Sequence, residues 1–176
     1  CPLNLAQTAS TTAALALGDA LAVALLDARG FGAEDFARSH PGGALGRKLL
    51  THVRDVMRPA GKVPQLSENT PVVASLLPIS EGGLGMAAVF AAGGRLTGSF
   101  TDGDLRRAME RLGDLRTTRV GEVMTRNPHI IGAGRLAVEA VEMMERHRIN
   151  QLLVTDAGGN LAGALNMHDL FRAKVV

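Results

Sequence analysis

Two carboxylates, Asp104 and Asp169, occupy matching places in two copies of one short pattern. The first copy is Gly98-Ser99-Phe100-Thr101-Asp102-Gly103-Asp104-Leu105-Arg106-Arg107. Sixty-five residues on stands Gly163-Ala164-Leu165-Asn166-Met167-His168-Asp169-Leu170-Phe171-Arg172. Gly98 matches Gly163, Asp104 matches Asp169, Leu105 matches Leu170 and Arg107 matches Arg172. Each copy reads as a strand end, a turn and a helix start. Thr101 to Gly103 supplies turn and N-cap chemistry, and Asp104 falls in the first helical turn, where the macrodipole favours negative charge. Capping alone is one reading of Thr101 and Asp104; a ligand-binding turn is the other.

The third candidate is His40, within Ser39-His40-Pro41-Gly42-Gly43-Ala44-Leu45-Gly46-Arg47. Pro41 biases His40 away from helical geometry. Gly42 and Gly43 allow positive φ and close backbone approach. From spacing alone His40 reads first as a surface histidine on a tight turn, with a catalytic or phosphate-facing histidine as the other reading. A Walker P-loop is excluded, because Arg47-Lys48-Leu49 follows Gly46 and no strand precedes it. A metal site is not expected: His40, His52, His129, His147 and His168 fall at no standard ligand spacing, and Cys1 has no second cysteine.

The elements that must position these groups also come in duplicate. The copies open with Val53-Arg54-Asp55-Val56-Met57 and Val120-Gly121-Glu122-Val123-Met124. The openings lie sixty-seven residues apart and the later motifs sixty-five, so the second copy is two residues shorter in between. Extended stretches follow at Lys62–Leu66 and His129–Ile131, then helices at about Pro71–Leu77 and Leu136–His147. Two strands then flank paired glycines: Gly85–Phe90 and Leu96–Phe100 around Gly93-Gly94, Asn150–Thr155 and Leu161–Leu165 around Gly158-Gly159. The unit is β-α-β-β-α. At about 60 residues it is small for an isolated fold, and two units packing their sheets together would solve that. Pro78 is expected to end or kink the first helix at Leu77, with a loop through Gly82-Gly83, since an interior proline costs about 3 kcal/mol.

Upstream, Thr8-Ala9-Ser10-Thr11-Thr12 reads as a helix start capped by Ser10 or Thr11, with Gly30 as the stop. Leucines, valines and alanines cover this helix on all sides, which calls for burial on several faces. Gly18-Asp19 is expected to interrupt the run as a membrane span. Ala33–Ser39 reads as a short amphipathic helix. The chain opens in what reads as mid-domain sequence, as expected of a fragment of a longer protein. Lys and Arg number 19 against 17 Asp and Glu, and Trp and Tyr are absent, which argues against nucleic-acid binding. A single cysteine excludes an internal disulfide and fits a reducing, cytoplasmic compartment.

Residues 53–176 resemble the CBS-domain pair: the Val-x-Asp/Glu-Val-Met openings, the β-α-β-β-α order and the duplicated Gly-x-x-Thr/Asn-x-x-Asp all match. The resemblance implies an α/β (α+β repeat) fold, with a ligand cleft served by Thr101, Asp104, Asn166 and Asp169. In CBS pairs that bind adenine nucleotides, the threonine and aspartate of the motif contact phosphate and ribose. Asn166 departs from the pattern by replacing the hydroxyl residue. Residues 1–50 are similar to the last part of a sugar isomerase (SIS) domain, through Gly18-Asp19-Ala20-Leu21, Ala28-Arg29-Gly30-Phe31 and the Ser39–Arg47 motif. The combination resembles the D-arabinose 5-phosphate isomerase family of the KdsD/KpsF/GutQ type. It implies a SIS tail at 1–50, a first CBS domain at 53–112 and a second at 120–176.

The same resemblance implies a parent enzyme that interconverts D-ribulose 5-phosphate and D-arabinose 5-phosphate for Kdo and lipopolysaccharide synthesis. It makes His40 an active-site residue. It implies no required cofactor, a nucleotide or nucleotide-sugar effector, a sugar-phosphate substrate, a homo-oligomer (dimer or tetramer) and no membrane partner. The phosphate loop and glutamate base of a SIS domain are not in this chain, so the fragment alone is expected to be inactive. The alternative is a stand-alone nucleotide-sensing or structural CBS module.

Overall fold

The computed structural model describes residues 7–32, 35 and 50–175. The chain divides into two compact units, Cys1–Leu49 and Leu50–Val176. In the first, helix α1 spans Ala9–Ala28. Its N-cap is Thr8, without a side-chain cap bond, rather than Ser10 or Thr11. The hydroxyls of Thr11 and Thr12 donate to the Thr8 carbonyl at 2.9 and 3.0 Å, so they are spent inside the first turn. Gly30, at φ 61°, ends the helix as expected.

Gly18 and Asp19 do not interrupt α1, because one glycine and one acid in 20 residues cost too little to break a leucine–alanine helix. By length and composition alone, the helix is therefore long and apolar enough to cross a membrane. The burial its composition calls for is not met within the described residues: Leu15, Leu17, Leu21, Val23 and Leu25 are all exposed. The helix expected at Ala33–Ser39, apart from Asp35, and His40 with its glycine turn lie outside the described residues.

The second unit holds both repeats. The first comprises α2 (Val53–Val56), β1 (Arg58–Pro59), a 3-10 turn, β2 (Gln65–Ser67), α3 (Val72–Gly82), β3 (Met86–Phe90), β4 (Leu96–Thr101) and α4 (Asp102–Leu112). The second comprises α5 (Val120–Val123), β5 (Thr125–Arg126), β6 (Ile130–Gly132), α6 (Ala137–His147), β7 (Gln151–Thr155), β8 (Leu161–Asn166) and α7 (Met167–Arg172). In both openings the acid at the third helical position caps the start: Asp55 accepts from the His52 N–H at 2.9 Å and Glu122 from the Arg119 N–H at 3.1 Å. The Gly-Gly turns lie in hairpins, with Gly94 at φ 76° and Gly159 at φ 79°. The two hairpins even share an irregularity in register, at Val89/Phe90 and at Val154/Thr155.

The two sheets exchange their edges. One has the order β2-β3-β4-β5, the other β1-β8-β7-β6. Thus the opening strand of each repeat completes the sheet of the other: Ser99 pairs with Thr125, and Ala164 with Arg58. The matched glycines of the duplicated motif follow from this crossing. A Cβ on Gly98 would lie 2.7 Å from the Thr125 carbonyl oxygen, and one on Gly163 would strike the Arg58 carbonyl.

The core has three parts. Phe100, Val89, Val72 and Val120 pack in one cluster, and Leu152, Leu165, Leu170 and Val53 in another. A third, with Leu84, Met86 and Ala88 beside Leu153 and Ala164, draws on both repeats. At roughly 1.5–3 kcal/mol per fully buried large side chain, these clusters outweigh local propensity. They do so at Pro78. Helix α3 runs through Pro78 to Gly82 instead of ending at Leu77, because Val72, Ser75 and Ile79 lie buried on one face across it. Gly83, left-handed at φ 58°, provides the actual stop.

Candidate functional site: two related clefts

Each repeat aims a capped helix N-terminus at the other repeat. In the first, Thr101 is the N-cap of α4 and Asp104 closes the box. The Thr101 N–H donates to Asp104 Oδ2 at 2.9 Å, and the Thr101 hydroxyl to the same oxygen at 2.7 Å. The Asp104 N–H returns a bond to Thr101 Oγ1 at 3.2 Å. Asp104 Oδ1 accepts from Arg107 at 2.6 Å and from the Thr125 hydroxyl at 2.8 Å. The carboxylate is only 4% exposed. Both its oxygens are satisfied, as burial of a charge requires. Thr101 therefore fronts the site and Asp104 stands behind it as its organiser.

In front of Thr101 opens a cleft of about 420 Å³ between the repeats. Its near wall carries Thr101, Asp102, Arg106, Arg107 and Thr125; its far wall carries His129, Arg148, Asn150 and Gln151. With Arg107 paired to Asp104, Arg106 and Arg148 still outnumber Asp102, and this net positive lining suits anionic groups. The His129 ring stacks on His147, with centroids 3.8 Å apart.

The counterpart motif repeats the cap with an amide. Asn166 Oδ1 accepts from the Asp169 N–H at 2.9 Å, and Asp169 Oδ2 from the Asn166 N–H at 3.2 Å. Asp169 is 8% exposed. Its cation is Arg58, whose Nε lies 3.2 Å from Oδ2.

The four motif residues thus form two matched caps, and His40 lies outside the described residues. Arg58 and Thr125, which complete the two aspartates, escape the sequence reading. The signal for them is present: each directly follows the methionine of an opening motif. Among the described residues, no group of three or more histidines, cysteines or acids is gathered for a metal ion.

A CBS domain family matches residues 120–176. The whole chain is 53% identical to arabinose 5-phosphate isomerase KdsD of Pseudomonas aeruginosa over 176 residues, covering 100% of the chain and 54% of that protein. Against the KdsD enzymes of Salmonella typhimurium and Escherichia coli K12, identity is 51% and 49%, covering 100% of the chain and 53% of each enzyme. The chain spans about half the length of the curated relatives it matches. Among solved structures, CBSX2 in complex with AMP matches 70% of the chain and 95% of its own, at 24% identity and a TM-score of 0.60. The CBS domain protein PAE2072 from Pyrobaculum aerophilum, complexed with AMP, matches 68% and 89%, at 22% identity and a TM-score of 0.61. The chain thus has the fold of a CBS-domain pair and aligns from end to end with the C-terminal part of the KdsD arabinose 5-phosphate isomerases.

Proposed function

We propose that this chain is the C-terminal part of an aldose–ketose isomerase that interconverts D-ribulose 5-phosphate and D-arabinose 5-phosphate in Kdo synthesis. The observation that carries the proposal is the 53% identity to a KdsD enzyme along all 176 residues. Residues 1–50 are then the tail of the SIS domain, with CBS domains at 53–112 and 120–176. The reaction moves a proton between C1 and C2 through an enediolate, and a positioned acid–base group speeds such a transfer by about 10²–10⁴-fold. His40 belongs to that site, where its imidazole can serve as the acid–base group that opens the sugar ring. The phosphate loop and the glutamate base are supplied by sequence outside this chain. The 176 residues alone then do not turn over substrate.

The test uses the full-length parent and this chain side by side, following conversion of D-arabinose 5-phosphate. Full-length enzyme is expected to be active. His40→Gln in it is expected to lower kcat by about 10²-fold or more, and the 176-residue chain to show no turnover. Turnover by the chain alone, or an unaffected His40→Gln enzyme, would refute the assignment.

The CBS pair is the regulatory part, with a nucleotide or nucleotide sugar as effector. Support comes from the cationic cleft before Thr101 and Asp104 and from the related folds solved with AMP. The effector's anionic group would meet Arg106, Arg107 and Arg148, with Thr101 and Asp104 at its base; Asn166 and Asp169 hold the counterpart place. No further cofactor is needed for this chemistry. The cytoplasm is the proposed location, and a homo-oligomer the proposed assembly.

A further inference from the structure

We infer that the second cleft is filled by the protein's own Arg58, so that each chain takes one anionic effector, in the first cleft only. This rests on the regulatory reading above. Arg58 and Thr125 hold the same position in the two repeats. Thr125 pairs with Ser99 and Arg58 with Ala164, and those partners stand sixty-five residues apart in the duplicated motif. The two side chains do opposite things there. Thr125 is short. Its hydroxyl donates to Asp104 at 2.8 Å and leaves the space beyond it open.

Arg58 reaches across. Its Nε lies 3.3 and 3.2 Å from the two Asp169 oxygens, and one Nη donates to Oδ1 at 3.2 Å. The other Nη donates to the Gly82 carbonyl at 2.9 Å. Gly82 ends α3, which belongs to the other repeat from α7, the helix that carries Asp169. One guanidinium therefore ties both walls together. In the first cleft the matching span is open, bounded by Thr101 and Arg107 on one wall and Arg148 on the other.

The two cations also differ in how they are held. Arg107, on Asp104, has a side chain 69% exposed and can turn toward a ligand; Arg58 is 25% exposed and fixed at three points. A ligand entering the second cleft would have to displace Arg58 from the buried Asp169 and from the Gly82 carbonyl together, breaking a buried charge pair.

The test is calorimetry of the 176-residue chain with AMP and with ATP. Wild type is expected to bind one nucleotide per chain, and Arg58→Thr to bind two. Thr125→Arg is expected to lose binding, as its guanidinium closes onto Asp104. The double exchange is expected to restore one site. Two nucleotides on wild type, or a folded Arg58→Thr chain that still binds one, would overturn the inference and leave the nucleotide reading intact.

Should neither nucleotide bind wild type, the nucleotide reading fails and the plug is decided by a second measurement. Arginine Nε–H exchange with water is followed by NMR in wild type and in Asp169→Asn. Arg58 is expected to exchange much more slowly than Arg107 in wild type, and to lose that protection in Asp169→Asn. Equal exchange rates in wild type would overturn the inference.

Discussion

Asp156 turns the hairpin between β7 and β8. Its Oδ1 accepts from the N–H groups of Gly158 at 2.8 Å and Asn160 at 2.9 Å, and the Asn160 amide adds a third donor. The Asn160 backbone bond, first among these, holds the carboxyl below its ordinary value of 3.8. A depressed carboxyl stabilises the fold above its unfolded value, and that contribution is lost as pH falls through the lower folded value. Asp156→Asn keeps an acceptor but does not titrate. Melting temperatures of the two proteins, compared from about pH 6 to about pH 2, are expected to differ most at the upper end and to converge in acid. A constant gap would show that the charge does nothing at this turn.

At this same scale, Thr101, Asp104, Asn166 and Asp169 were legible because capping chemistry is local and spans three residues. Arg58 and Thr125 were not, because their partners lie 111 and 21 residues away and are reached only through strand pairing.

Helix α3 shows where local reasoning yields to packing. A proline at its seventh position deprives the Ala74 carbonyl of its donor and crowds the turn before it. The helix continues because Ile79 and Leu84 fill core sites beyond the proline. Pro78→Ala is therefore expected to stabilise the protein. The gain in helix is about 3 kcal/mol, reduced by the up to 1 kcal/mol that proline saves in the unfolded chain. Urea unfolding should show a higher midpoint with an unchanged slope. A lower midpoint would mean that the ring itself packs well enough to matter. Of the longer elements, β3, β4, β7, β8 and α6 each fall within a residue or two of the sequence reading, whereas the short α2, β1, α5 and β5 carry too few residues for a period and went unread. Sheet membership was not legible, since nothing in a two-residue strand says which repeat it joins.

For the whole molecule, the contrast lies between two units of different character. Leu50–Val176 buries its apolar residues in three clusters, whereas α1 buries none of its own. The composition of α1 disclosed its need for a partner and could not disclose which one. The 176-residue chain is expected to self-associate through α1, with a mass by light scattering that rises with concentration. Leu17→Lys with Leu21→Lys, both at exposed positions, should abolish that rise and leave the melting of the CBS pair unchanged. A concentration-independent monomer mass for wild type would remove α1 as an association surface.

The exchange of opening strands carries one more consequence, for folding. Neither repeat can complete a sheet by itself, because β1 belongs with β8 and β5 with β4. The two halves of the pair are therefore one cooperative unit: amide protection in β4 and in β8 should be lost together, at a single global opening energy. Separated at the 113–118 connection, each half would keep a hairpin and three helices but lack the edge its partner lends. The duplicated sequence encodes two domains in the genetic sense and a single melting transition in the physical one.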